Sequence, residues 1–168
     1  SNIEYVIIEI IPGRITRHSI YVLNIYSGPN DKRQRFKALR KTVNLAGSDP
    51  LIVAGDFNAP FHTWDYKYNT NKGKELWQNA TDLDPILISH GNFPTRNGTS
   101  PDLTFVKNIS KAKWNNLAED FGSDHYINAT QFPIEGRKQR EFFYTDWDKF
   151  RKLRDERPSS DSRPTLEQ

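Results

Sequence analysis

Leu51-Ile52-Val53-Ala54-Gly55-Asp56-Phe57-Asn58-Ala59 is the stretch on which the reading of this chain turns. Its first four residues are a short continuous apolar run, with Asp49-Pro50 before it and Gly55 after it, which predicts a strand buried on both faces. Directly behind that run stand a carboxylate, Asp56, and a carboxamide, Asn58, two residues apart. At a strand end such residues point in similar directions. They can offer one acceptor to a metal or water and one donor to a phosphate oxygen. Gly-Asp and Asn are also ordinary turn residues, and taken alone the stretch leaves both readings open.

On the N-terminal side, Ile3–Ile11 and Ser19–Tyr26 are rich in Ile, Val and Tyr and are separated by a turn at Pro12-Gly13-Arg14, which predicts an antiparallel pair. Ser27-Gly28-Pro29-Asn30 ends the second strand and offers Asn30 or Asp31 as a helix N-cap. From Lys32 to Ala46, Phe36, Leu39, Val43 and Ala46 recur at helical spacing, and Gly47 closes the segment. C-terminal to the opening stretch, a helix is predicted from about Gly73 to Ala80. Strands are predicted at Pro85–Ser89, Leu103–Val106, Ala112–Leu117 and Tyr126–Gln131. Strands interspersed with helices, without strict alternation, describe a layered α/β domain.

The whole chain has 168 residues, room for one ordinary domain. Its 24 Lys and Arg against 21 Asp and Glu leave a net charge of only +3, so bulk positive charge is not its working device, and nucleic-acid binding would need a local groove. The absence of Cys excludes disulfides, thiolate metal sites and a Cys nucleophile. No run approaches the roughly 20 apolar residues that span a bilayer, and no secretory leader is legible, so no membrane association is expected. Composition changes near Pro133. Residues 136–168 hold nine basic and seven acidic side chains. Within them Thr145-Asp146-Trp147-Asp148 has the form of a capping box, with Trp147, Phe150 and Leu153 on one helical stripe. The reading is a domain over 1–135 and a connector over 136–168, with one short helix at about 146–157 and a disordered tail.

Two further stretches place ionisable groups beside apolar strands. Ser123-Asp124-His125-Tyr126 offers an imidazole as general base or phosphate-polarising group next to a carboxylate able to sit at a metal. In Ser100-Pro101-Asp102-Leu103-Thr104-Phe105, Asp102 opens a strand, where it can accept the Nδ1–H of a histidine and set its tautomer, or merely mark the boundary. His18, His62 and His90 carry no such context and are assigned no ligand role. Trp64, Tyr66 and Tyr68 are read first as core or lid aromatics and second as a base-stacking surface. Trp77 and Trp114 are read as core.

Taken in order, Asn24-Ile25-Tyr26-Ser27-Gly28-Pro29, Gly55–Ala59, Ser100–Phe105 and Gly122–Tyr126 resemble the endonuclease/exonuclease/phosphatase superfamily. Among its members, which include the apurinic/apyrimidinic endonucleases, they are most similar to the endonuclease domains of non-LTR retrotransposons of arthropod type, over residues 3–132. The resemblance implies part of a four-layer α/β sandwich of the DNase I kind, with mixed, mainly antiparallel sheets flanked by helices. It implies that Tyr26 contacts the scissile phosphate, and that Asp56 positions or deprotonates the attacking water or protonates the leaving group. Asn58 would orient phosphate or nucleophile, Asp102 would hold His125, and His125 would polarise the phosphate or act as base. Asp124 would lie beside a divalent metal. Hard oxygen ligands favour Mg²⁺ or Mn²⁺ for that metal. The implied activity is nicking of target DNA, with a reverse transcriptase domain C-terminal in the parent chain and a nuclear or cytoplasmic location.

One departure stands against these matches. The family places an Asn and a metal-binding Glu several tens of residues before its tyrosine segment, whereas only 25 residues precede Tyr26 here, with Glu4 and Glu9 as the upstream carboxylates. With no initiator Met, the expectation is an N-terminally truncated domain that lacks its main metal Glu, binds Mg²⁺ poorly and has little or no nuclease activity. A small-substrate phosphatase or phosphodiesterase of the same superfamily, and a non-catalytic degenerate fragment, are the competing readings.

Overall fold

A computed structural model describes residues 3–11, 18–30, 36–89, 94–96, 98–133 and 146–156. They fall into two units, residues 1–137 and 138–168. In the first unit, β1 (Glu4–Ile10), β2 (Ile20–Tyr26), β3 (Leu51–Asp56), β4 (Ile86–Leu87) and β5 (Asp102–Lys107) form one sheet in the order β1-β2-β3-β5-β4. β1 and β2 are antiparallel as expected, β2 and β3 are parallel, and β5 runs antiparallel to both β3 and β4. A second antiparallel pair, β6 (Lys113–Asn116) with β7 (Asn128–Gln131), is a separate two-stranded sheet. Helices α1 (Lys37–Ala46) and α2 (Asn71–Leu83) complete this unit, with a single 3-10 turn over His62–Trp64. This mixed sheet with flanking helices is the expected α/β class.

Alternation along the strands sorts two faces. Leu23 and Ile25 of β2, Leu51 and Val53 of β3, and Leu103 and Phe105 of β5 point to one side and are almost wholly buried, with Phe36, Leu39, Phe57, Trp64 and Leu76 packed on them. Burial of each such side chain is worth about 1.5–3 kcal/mol, and away from the strand ends the other face packs as well, with Ile20, Ile52, Thr104 and Val106 nearly buried. α1 packs on β2 and β3 and also touches α2.

Several boundaries move from where the sequence placed them, for physical reasons. β3 does not stop at Gly55; it runs on to Asp56. Gly55 has φ +145°, and a Cβ there would lie 1.9 Å from the carbonyl oxygen of Ile25, so the glycine marks a close approach of β3 to β2 and not a strand end. The helix expected from Lys32 begins at Lys37, and its N-cap position is Phe36, whose side chain has no group to cap with and whose ring is buried against Phe57. Asn30 lies in a turn before the helix, and Asp31, Lys32 and the Pro12-Gly13-Arg14 turn lie outside the described residues. α2 is longer than expected at both ends: Thr70 caps it by accepting the Gly73 N–H at 3.0 Å, and Asp84 ends it in a left-handed conformation. Trp77, expected in the core, is 41% exposed on the surface of α2 and stacks on Phe61 at 5.7 Å, while Trp64 is the buried one.

In the second unit, α3 (Trp147–Asp155) forms where the capping signal lies: Asp146 accepts the Lys149 N–H at 3.0 Å. Trp147 and Phe150 meet edge to face at 5.8 Å. Residues 157–168, expected as a disordered tail, lie outside the described residues. Among the described residues no helix is long and apolar enough to cross a membrane.

Candidate active site

Strand register builds the site. Tyr26 is the Cα partner of Asp56 across the parallel β2–β3 pair, and Asp56 is the partner of Asp102 across the antiparallel β3–β5 pair. Since partners share a face, three residues from positions 26, 56 and 102 form one row across three adjacent strands, on the side opposite the core. The alternation that buries Ile25, Gly55 and Leu103 inward is what turns their neighbours outward. The row is held by the backbone on both sides of Asp56. Ser27 N–H donates to the Asp56 carbonyl at 2.8 Å, and Phe57 N–H donates to the Pro101 carbonyl at 2.9 Å. Phe57 is fully buried between Phe36 and Phe105, an anchor for the chain immediately after the carboxylate.

His125 reaches this row from the segment before β7. Its Nδ1 lies 2.8 Å from Asp102 Oδ2, joining two motifs 23 residues apart. Its own N–H donates to Ser123 Oγ, and the next N–H, of Tyr126, donates to the Thr95 carbonyl at 2.9 Å. With Nδ1–H donating to the carboxylate, Nε2 is left to accept a proton or, once protonated, to donate to a phosphate oxygen. Thr95, fully buried, also accepts the Asp102 N–H on its hydroxyl at 3.2 Å.

Asp56, Asp102 and His125 bring one ligand atom each within 4.8 Å of one another. The proximity of Asp102 and His125 is accounted for by their own hydrogen bond. Asp56 is different: its Oδ1 is buried with no hydrogen-bond partner. Burial first, and then the charge of Asp102, hold its carboxyl above the usual carboxylate range, against the opposing pull of His125 and of hydrogen bonds from Asn58. A buried carboxylate oxygen without a donor, pressed by a second carboxylate, is the environment a hard divalent cation relieves. The donor set therefore fits Mg²⁺ or Mn²⁺.

Asn58 follows with φ +43°, a left-handed turn that Asn tolerates better than most residues, and its amide opposes the upward shift of the Asp56 carboxyl. Asp124, the residue predicted to sit at the metal, lies outside the cluster of three. It forms an ion pair with Arg96, and its Oδ1 lies 3.9 Å from His125 Nε2. Tyr26 is 49% exposed beside Asp56. Of the other histidines, His18 meets Asp49 at 2.8 Å and His62 meets Asn69 at 3.0 Å, while His90 lies outside the described residues.

Sequence reasoning missed three contributors. Lys72 is buried on α2, and its ammonium donates to the Ser27 and Gly28 carbonyls at 3.3 and 2.9 Å, tying down the segment that follows Tyr26. Thr95 and Arg96 brace Asp102 and Asp124 respectively. None carries a local signal: a lysine in a helix and Thr-Arg in a loop read as solvated residues until the fold brings their partners near.

The comparisons bear on the family and the fold. A family model described as endonuclease-reverse transcriptase matches residues 20–129. Among solved structures, the endonuclease domain of TRAS1, a telomere-specific non-LTR retrotransposon, is similar with a TM-score of 0.62 and 20% sequence identity, over 78% of this chain and 64% of that one. The chain thus spans 64% of that domain's length. No curated protein matches it in sequence.

Proposed function

The chain belongs to the endonuclease-reverse transcriptase family, and from that premise we propose that it carries the phosphodiester-cleaving core of a metal-dependent endonuclease that nicks DNA for a retrotransposon. The observation that carries the reading is the convergence of Asp56, Asp102 and His125, from three separate segments, on one point beside Tyr26. A reverse transcriptase domain C-terminal to this chain and a duplex DNA target are part of the same reading.

In this reading the Asp56 carboxylate, with Asp102 beside it, would hold Mg²⁺ or Mn²⁺, which when bound supplies charge stabilisation to the phosphate and a more acidic water. Asp102 keeps His125 in the Nδ1–H tautomer, so Nε2 faces the substrate and either polarises a phosphate oxygen or takes up a proton. Asn58 orients the phosphate by donating its amide, and the Tyr26 hydroxyl donates to a second phosphate oxygen. Asp56 also directs the water for in-line attack. Asp124, ion-paired with Arg96, would stand near such a cation without being among the three clustered groups. The fold contributes by holding these groups on strand ends whose backbone is already hydrogen-bonded, so little reorganisation accompanies the reaction.

Two protein carboxylates are few for a cation that takes about six ligands. A polypeptide of residues 1–168 is therefore expected to bind Mg²⁺ weakly and to relax supercoiled plasmid slowly. Asp56→Ala is expected to abolish whatever nicking is seen. Activity that survives Asp56→Ala overturns the site; fast nicking by the unaltered chain overturns the weak-metal expectation. Duplex DNA is expected to bind with a steep salt dependence. Hydrolysis of a small phosphoester that duplex DNA does not compete with would favour a small-substrate enzyme instead.

A further inference from the structure

We propose that the start of α2, from Thr70 to Gly73, is a positioning clamp for the reaction, in which Lys72 fixes the Tyr26 side of the phosphate site and Thr70 the Asn58 side. The inference rests on the endonuclease reading above and adds to it two positioning residues that act through Tyr26 and Asn58.

Both of those groups stand where their own strands hold them least. Tyr26 is the last residue of β2, and Asn58 lies two residues past the end of β3. Tyr26 is 49% exposed, so the place of its hydroxyl depends on the backbone around it more than on packing. A Cβ on Gly28 would meet nothing within 4 Å, so packing does not hold the turn after Tyr26 either.

α2 supplies the hold. Ser27 is fully buried, and its N–H donates to the Asp56 carbonyl at 2.8 Å. Its own carbonyl and that of Gly28 accept from the Lys72 ammonium at 3.3 and 2.9 Å. Ser27 is thereby bonded to β3 on one side and to α2 on the other. Lys72 is only 9% exposed, and an ammonium taken out of water is held firmly by the carbonyls it meets. On the β3 side, the Pro60 carbonyl, two residues after Asn58, accepts the Thr70 N–H at 2.9 Å and the Thr70 hydroxyl at 3.1 Å. A Cβ on Gly73 would lie 2.1 Å from that same carbonyl oxygen, so only glycine lets the helix seat this closely. One helical turn therefore grips the chain just past Tyr26 and just past Asn58. The lysine does not serve the helix itself: the first turn of α2 has no acidic residue, and the helix dipole disfavours a cation there.

The test is a double-mutant cycle on Mg²⁺-dependent plasmid nicking by the full chain. It uses Tyr26→Phe and Lys72→Met, which keeps the apolar stem and removes the ammonium. Each single substitution is expected to lower kcat about ten-fold or more, and Lys72→Met to leave KM for plasmid within about two-fold. In the Tyr26→Phe background, Lys72→Met is expected to add less than about two-fold, because the hydroxyl it positions is already gone. A lysine that only stabilises the fold would cost the same factor in both backgrounds, and one that contacts DNA directly would raise KM. Either result overturns the clamp, as does an unchanged kcat. If the melting curve shows that Lys72→Met does not fold, Thr70→Val with Asn58→Ala runs the same cycle on the β3 side, with the same outcomes deciding. When the unaltered chain nicks nothing, the endonuclease reading falls and the clamp with it; when it nicks and the two losses multiply, the clamp alone falls.

Discussion

The two faces of the five-stranded sheet are built from alternate residues of the same strands, yet they obey different rules. On one face Leu23, Ile25, Leu51, Val53, Leu103 and Phe105 are sealed under α1, α2 and Phe57. On the other, Tyr26, Asp56 and Asp102 stand in a row, and toward β1 the same face shows Val6, Ile8 and Ile10 each about half exposed. At the ends of β2, β3 and β5 a substitution one residue along the strand therefore moves from packing to chemistry, while farther along Ile52, Thr104 and Val106 of the second face are buried too. The sealed face is wholly packing, and the strand-end row of the other face carries the groups for chemistry.

That contrast can be broken experimentally, most severely on the open face. His125→Ala is expected to lower the plasmid-nicking rate by about 10²–10⁴-fold, the span typical of a general acid–base group, with urea denaturation little changed. A parallel loss of stability would mean that His125 serves the fold. On the sealed face, Phe57→Ala empties a site with two aromatic neighbours and is expected to destabilise by about 3–5 kcal/mol in the same urea titration. Gly55→Ala tests the seam between the faces. Its Cβ would collide with the Ile25 carbonyl, so β2 and β3 must separate, at a cost on the order of 1–3 kcal/mol together with loss of the Tyr26–Asp56 register and of nicking.

A smaller effect is expected from charge. The folded chain holds Asp56 above its ordinary value of 3.8, because burial and Asp102 disfavour the anion. The anion therefore destabilises the metal-free fold at pH above the raised value, and the penalty fades as pH falls through that value toward 3.8, where the unfolded chain is protonated as well. Asp56→Asn should accordingly raise the melting temperature of the metal-free protein at neutral pH, on the order of 1 °C, with the gain shrinking in acid. A drop in melting temperature at neutral pH would show that the carboxylate is not the strained group it is taken for. Smallest of all, Ile8→Thr on exposed β1 is expected to change stability by less than about 0.5 kcal/mol; a larger loss would show that this part of the open face is packed.

Much of this is legible in the sequence. Leu51–Ala54 announced a buried strand because an unbroken apolar run has no polar face to offer water. Asp56, Asn58, Asp102, Asp124 and His125 stood out because ionisable groups flanked apolar strands. The helix stripe of Phe36, Leu39, Val43 and Ala46 was equally plain, although its first turn was not. Phe36 serves the core and not the helix, a choice made by Phe57, which is 21 residues away. Trp77 was misplaced for a similar reason: a large apolar side chain suits either a core or an aromatic stack on a helix surface, and only Phe61 decides.

What the sequence determined by itself was local: strand and helix stretches, the Asp146 cap, and residue types suited to phosphoester chemistry at strand ends, since periodicity and side-chain chemistry are short-range properties. Only the tertiary structure decided register, because the parallel pairing of β2 with β3 and the antiparallel pairing of β3 with β5 join residues 30 and 46 positions apart in the chain. It alone aligned Tyr26, Asp56 and Asp102, brought His125 to Asp102, left Asp56 Oδ1 without a partner, and brought Lys72 to the Ser27 and Gly28 carbonyls. Backbone hydrogen bonds across strands are indifferent to side-chain identity, so no local pattern could have specified which residues would stand side by side.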